Sequence, residues 1–180
     1  TLGGNIANGS PIGDSMPLLI ALNASVVLMR ARGQRELPLE ALYTGYRKNV
    51  MAADEVLAFV RVPRPRPGEL LRVFKVSKRT EDDISAVCLG VSVQLQDGRV
   101  TQASIGVGGV AATPVRAAQT EAALTGQAWT HDTLRQAKAV LRGEFQPISD
   151  MRASAAYRVQ LLDGLMERFW LESQGVPDIS

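Results

Sequence analysis

The sequence is poor in the side chains that metal and redox centres need. Cys88 is its only cysteine and His131 its only histidine. One cysteine cannot close an internal disulfide, which suits a reducing, cytoplasmic compartment. An iron–sulfur cluster needs several thiolates and a zinc site three or four N/S ligands, so neither can be assembled from this chain alone. Cys88 lies in an alternating apolar run and reads as a small buried hydrophobe, whereas His131 follows a threonine and reads as a helix-terminus residue. Long apolar runs are also missing: 16–21 and 26–29 are far too short to span a bilayer. Charge of either sign is nearly balanced, with 20 basic and 18 acidic residues for a net charge of +2. That balance gives no electrostatic reason to expect nucleic acid or an anionic membrane as a partner.

What is present is enough apolar residue to build a core, 46% of 180 residues, and an unusual opening stretch, TLGGNIANGSPIGD. Gly3 and Gly4 would let the backbone turn tightly and approach a ligand, with consecutive N–H groups forming a concave anion site. Asn5 and Asn8 add amides that donate and accept, and Asp14 adds an acceptor. Read physically, this is a loop shaped for a phosphate-bearing ligand, although the same composition is most often that of an ordinary surface loop.

Along the chain, residues 16–22 suit a short helix ending near Asn23, and 25–30 a buried strand. Residues 35–39 return as a second strand. Tyr43 and Tyr46 flank Gly45, either to cap a flat ring or as surface tyrosines around a turn. Residues 54–63 alternate with Val56, Ala58, Val60 and Val62 on one face, leaving Leu57 and Phe59 on the other. Arg64-Pro65-Arg66-Pro67-Gly68 cannot be interior strand or helix, which makes it the linker and the domain boundary.

Residues 70–78 resume as a strand, and Asp97-Gly98 between two alternating runs marks a type I′ hairpin with Val87, Leu89, Val91, Val93 and Leu95 on one face. Thr113 with Pro114 reads as a helix start running through Leu124 to a stop at Gly126, and Thr130 caps a second helix ended by Gly143. Tyr157, Leu161, Leu165 and Phe169 recur every four residues on a last helix, as a core-facing stripe. The elements sum to an α+β protein in two parts, 1–68 and 69–173, with a tail at 174–180.

Several of these stretches resemble one family, the molybdenum hydroxylase flavoproteins, which include xanthine dehydrogenase and carbon monoxide dehydrogenase. The opening run with Met16-Pro17-Leu18-Leu19 resembles the family's second FAD-binding segment, and 43–48 its "GYR" connection. Phe74, Lys75, Arg79, Asp82, Asp83 and Ile84 match an aromatic-lysine, arginine and paired-carboxylate block, and 150–158 matches a "D.R.SA.YR" signature. The resemblance implies the back half of a flavin-binding α+β domain, then a carbon monoxide dehydrogenase flavoprotein C-terminal-like domain with helices on one face of an antiparallel sheet.

It also implies FAD as cofactor, held by Thr1, Leu2, Gly3, Gly4, Asn5, Asn8, Asp14, Leu57 and Lys75. Leu57 takes the place of a leucine lying against the flavin ring, and Lys75 that of a lysine contacting FAD. In the closest resemblance, to the small subunit of bacterial xanthine dehydrogenase, electrons from purine oxidation pass through iron–sulfur clusters to FAD and on to NAD. The loop 79–83 would border the nicotinamide side. Molybdopterin and iron–sulfur clusters would lie on partners, a molybdopterin-binding large subunit and an iron–sulfur domain. The family's glycine-rich pyrophosphate loop lies upstream of the matched region, so an upstream half of the FAD domain is a further implied partner and the chain is expected to be a piece of a longer flavoprotein. A carbon monoxide, aldehyde or N-heterocycle dehydrogenase shares the same fold and cofactor. The remaining alternative is a fragment that acts only as a structural or subunit-interaction domain.

Overall fold

The computed structural model describes residues 1–79 and 83–176. The chain builds two hydrophobic cores, and one short helix of the first is seated on the sheet of the second. The first core gathers helix α1 (Leu2–Asn8), helix α2 (Ser15–Ala21) and an antiparallel sheet of order β2-β1-β5, with β1 at Ser25–Arg30, β2 at Gly33–Pro38 and β5 at Val56–Arg61. Ile6, Met16, Leu19, Ile20, Val26 and Leu28 fill it. Between β2 and β5 run a 3-10 turn (Leu39–Leu42) and a small hairpin of β3 (Tyr43–Gly45) and β4 (Lys48–Asn49).

The second core lies under a meander of order β6-β7-β8-β9, formed by β6 (Glu69–Val76), β7 (Val87–Gln96), β8 (Arg99–Gly108) and β9 (Val115–Arg116). Asp97 and Gly98, both at positive φ (51° and 71°), close the β7–β8 hairpin as their type I′ chemistry requires. Leu89, Val91, Ile105 and Val107 project from one sheet face into helices α3 (Ala118–Leu124), α4 (His131–Glu144) and α5 (Ala155–Ser173), meeting Leu124, Leu134, Leu162 and Phe169.

The opposite face carries α2. Gly90 and Gly106 are cross-strand partners, and a Cβ on them would stand 2.6 and 2.1 Å from the carbonyl oxygen of Pro17. Only glycine lets the helix backbone sit this close to the sheet. Thus α2 presents Met16, Leu19 and Ile20 to the first core while its Pro17 and Ala21 edge rests on the second sheet.

Four local expectations are corrected. Residues 2–8, read as part of a glycine turn, form a helix. Thr1 Oγ1 caps it by accepting from Gly4 N at 3.1 Å, and Gly9 ends it in the left-handed region at φ 58°. Capping at both ends and burial of Ile6 outweigh the cost of two interior glycines. In β5 the register to β1 slips, pairing Val27 with Phe59 but Leu28 with Leu57, so Ala58 is a bulge. The bulge puts Leu57 and Val60 together on the first core and leaves Val56 and Phe59 exposed, breaking the alternation read from sequence.

Thr113 and Pro114 do not start a helix, because Val115 and Arg116 instead pair with Val107 and Gly106 as an edge strand, and α3 begins at Ala118. On α5 the buried set is Arg158, Leu162, Leu165, Met166 and Phe169, whereas Tyr157 is 46% exposed. A strict four-residue repeat drifts about 40° around a 3.6-residue helix at each step, so the stripe enters the core only along its second half.

Candidate functional site

The nine residues singled out from sequence lie on α1, β5, the turn into α2 and β6, and three of these supports are linked around α1. The first is α1. Thr1, Leu2, Gly4, Asn5 and Asn8 are exposed, and the first-turn amides of Leu2 and Gly3 have no helix carbonyl behind them. The hairpin holds the other end of this helix, with Tyr43 Oη donating to Ile6 O at 3.0 Å and Asn49 Nδ2 donating to Ala7 O at 2.9 Å. Burial raises the Tyr43 hydroxyl pKa above its ordinary value and keeps it a neutral donor. Tyr43 is therefore scaffold, its ring covering Gly9, where a Cβ would come within 2.7 Å of it.

Second is β5, whose Leu57 lies under α1, with Cδ2 3.9 Å from the Cβ position of Gly3. The third is the turn leading into α2. Ser15 Oγ donates to Asn5 Oδ1 at 2.6 Å, tying α1 to that turn and leaving the Asn5 amide nitrogen unpartnered among the described residues.

Asp14 sits at the N-cap of α2 yet makes no cap bond with its side chain. Its carboxylate turns to the second sheet, where Oδ2 pairs with Lys75 Nζ of β6 at 2.8 Å and Oδ1 accepts from Ser85 Oγ. Asp14 and Lys75, distant in sequence, are thus brought into contact. The Asp14 bond holds the Lys75 ammonium above its ordinary pKa. Both side chains remain about two-fifths exposed, at 40% and 41%.

Sequence reasoning passed over two residues here. Ser85 is 1% exposed, and nothing in the local pattern marks a serine ahead of a strand for burial. Arg158, also 1% exposed, was seen only as part of a signature. It donates through Nη1 to Ala86 O and to Gly109 O (2.9 Å) and through Nη2 to Asp150 Oδ1 at 2.7 Å. Gly109 N in turn donates to Pro11 O at 2.7 Å, so one buried guanidinium braces the backbone on both sides of the Pro11–Asp14 turn. A buried arginine beside a small apolar pair and an upstream aspartate was the available signal.

Next to this brace lies a cavity of about 440 Å³ bordered by Ser10, Tyr46, Arg47, Ile148 and Arg152. None of the nine residues lines it. Tyr46 is 63% exposed, and Arg47 stands in the left-handed region at φ 53°. The loop expected to border the nicotinamide side is described only at Arg79 and Asp83, which pair at 3.7 Å, and Thr80, Glu81 and Asp82 lie outside the described residues.

The donor set suits FAD by its chemistry. Free amides, asparagine nitrogens and an ammonium are groups that take phosphate and ring carbonyls, and Leu2 and Leu57 offer apolar contact to a flat ring.

Comparison with known proteins decides the family. A family profile described as "FAD binding domain in molybdopterin dehydrogenase" matches residues 1–65, and one described as "CO dehydrogenase flavoprotein C-terminal domain" matches residues 72–173. The chain belongs to the molybdopterin dehydrogenase flavoproteins.

Xanthine dehydrogenase/oxidase of Gallus gallus is 38% identical over 146 residues, covering 79% of this chain and 11% of that protein. The nicotinate dehydrogenase FAD-subunit of Eubacterium barkeri is 28% identical over 176 residues, covering 96% of this chain and 60% of that subunit. Reconstituted CO dehydrogenase from Oligotropha carboxidovorans superposes with a TM-score of 0.86 at 31% identity, over 96% of this chain and 59% of that one. The chain therefore spans only part of the length of these relatives. In this flavoprotein family FAD belongs to the matched domain, and the molybdopterin and iron–sulfur cofactors belong to other parts of the enzymes. Among the described residues no helix is long and apolar enough to cross a membrane.

Proposed function

We propose that this chain forms part of the FAD-holding unit of a xanthine dehydrogenase-type molybdenum hydroxylase that oxidises purines with NAD as acceptor. FAD, when bound, supplies both one-electron and hydride chemistry. The chain's own residues bind and orient it. In this reading Thr1, Leu2, Gly3, Gly4, Asn5 and Asn8 offer amides and hydroxyls from the first turns of α1. Leu57 gives the ring an apolar contact, and Asp14 and Lys75 supply a carboxylate and an ammonium whose positions fix each other. The division between the two parts falls at 68/69, after the proline-rich segment, so Lys75 reaches the site from the second part. No residue of the chain is assigned as a general acid or base.

The observation that carries the cofactor part of this reading is the Asp14–Lys75 contact. Each was singled out separately from sequence, and folding brings them within 2.8 Å of each other. The acceptor would approach on the side of the loop that Arg79 and Asp83 frame, as the resemblance implies. The implied partners are the molybdopterin-binding large subunit, the iron–sulfur domain and the upstream half of the FAD domain, in the cytoplasm.

An absorbance spectrum and FAD titration of this chain beside an upstream-extended form tests the cofactor reading. Binding by the extended form supports it, and a flavin-free full-length protein overturns it. Assay of the loaded holoenzyme with xanthine and NAD tests the substrate and acceptor. A second reading, a hydroxylase of N-heterocycles or carbon monoxide with the same flavin unit, is favoured by the likeness to the nicotinate dehydrogenase FAD-subunit and to CO dehydrogenase. Activity with nicotinate or carbon monoxide but not xanthine would establish it.

A further inference from the structure

We infer that Ser85 is a positioning residue for the flavin site, its buried hydroxyl fixing the carboxylate of Asp14 and, through it, the ammonium of Lys75. The inference rests on the reading that Asp14 and Lys75 hold FAD. Three observations carry it. Asp14 stands at the N-cap position of α2 with helical backbone angles (φ −80°, ψ −20°) and with Pro17, which has no N–H, at the third helical position, so its carboxylate is not held by the helix's own amides. The Ser85 hydroxyl donates to its Oδ1, which leaves Oδ2 for Lys75 at 2.8 Å.

Ser85 is itself held. It is 1% exposed, and the next residue, Ala86, donates from its N to Val76 O at 2.7 Å while its carbonyl accepts from the buried Arg158. The Cys88 thiol, whose pKa burial pushes up to about 12, completes the frame with a weak contact to Asp14 O at 3.8 Å. A hydroxyl on so constrained a backbone selects one carboxylate orientation. An alanine there would free the half-exposed Asp14 carboxylate to rotate into solvent, and Lys75 would lose a fixed partner.

The test is a double-mutant cycle in the full-length flavoprotein, read by the FAD dissociation constant and by the flavin reduction potential. Ser85→Ala should weaken FAD binding by up to about tenfold, the loss expected when an unfixed Lys75 forfeits one charge-assisted contact to FAD, and should shift the potential. Asp14→Ala should do both, and adding Ser85→Ala to it should change neither further, because the hydroxyl acts only through the carboxylate. A Ser85→Ala protein with lowered thermal stability but unchanged potential and affinity overturns the inference. So does an effect that adds in full to that of Asp14→Ala. If Asp14→Ala itself leaves FAD affinity and potential unchanged, the placement of Asp14 at the flavin fails, and the role of Ser85 falls with it.

Discussion

Helix α2 has a polar junction at each end, and the two are built for different purposes. At its C-terminal end Arg116 bonds Glu40 at 2.6 Å, Glu121 at 3.0 Å, Ser104 Oγ at 2.8 Å and the carbonyl of Ile20 at 3.0 Å. These charged side chains are 15–26% exposed. Glu40 Oε2 alone in this group is buried without a partner among the described residues. At its N-terminal end Asp14 meets Lys75 and Ser85 with two-fifths of both charged side chains still open to solvent. The first junction spends its donors on the protein, and the second keeps accessible polar atoms. A buried, nearly saturated cluster locks two parts together, whereas an open pair on a braced backbone can still take a ligand.

The comparison requires α2 to be a rigid bar between the junctions, and the largest expected effect comes from lifting it. Gly106→Val would drive a branched side chain into the Pro17 carbonyl, 2.1 Å from the Cβ position. Because the obstacle is backbone, the loss should exceed about 4 kcal/mol and take flavin retention with it. Denaturant unfolding of the variant measures this, and a loss below about 1 kcal/mol would show that α2 is not seated on the sheet as described. Next in size is Arg116→Met, which strands Glu40 and Glu121 in a partly buried site and should cost about 3 kcal/mol. Flavin content should hold in whatever fraction folds, since this end faces away from Asp14. Selective loss of flavin from a stable Arg116→Met protein would erase the distinction between the junctions.

Neither junction could be read from local sequence, though much around them could. The Asp-Gly hairpin, the β1 strand, α2 and the Thr130 cap, which accepts from Thr133 N at 3.3 Å, all follow from short-range chemistry. Helix α1 was hidden because its interior glycines and asparagines are turn formers. What makes them helical is the Gly9 cap together with docking by Tyr43 and Asn49 from more than 30 residues away. The bulge at Ala58 leaves no compositional trace. Apolar periodicity also cannot see Arg158, since the residue that anchors the start of α5 is charged. Of the residues proposed to hold FAD, Thr1, Asn5, Asn8 and Asp14 were legible as polar groups around Gly3 and Gly4, and Leu2, Leu57 and Lys75 only through resemblance. Ser85 and the Arg116 cluster are tertiary facts, joining elements 71 and 76 residues apart.

Lys75→Met sharpens the contrast at the open end. The pair is exposed and screened, so thermal stability should change by less than about 1 kcal/mol, while FAD dissociation should accelerate about tenfold with loss of one charge-assisted contact. Rapid-dilution release of FAD, followed by its fluorescence, gives the rate. Unchanged release would move Lys75 from the site to the scaffold.

The smallest effect distinguishes the junctions by pH. Burial holds the Glu121 carboxyl above its ordinary value of 4.5, outweighing the bonds from Ile105 N and Arg116. The folded state then binds that proton more tightly than the unfolded one. This contribution is complete below 4.5 and is lost as pH rises through the folded value. The Lys75 pKa is likewise raised, by Asp14. Its contribution is complete below 10.5 and is lost as pH rises through its own folded value. Subtracting the stability profile of Glu121→Gln from that of the parent should therefore leave a step on the acid side. Subtracting that of Lys75→Met should leave a step confined to strongly alkaline pH. A Lys75→Met difference profile that stays flat well above pH 10.5, in a protein still folded there, would mean that the Asp14–Lys75 pair does not persist in solution, and the open junction would then rest on Ser85 alone.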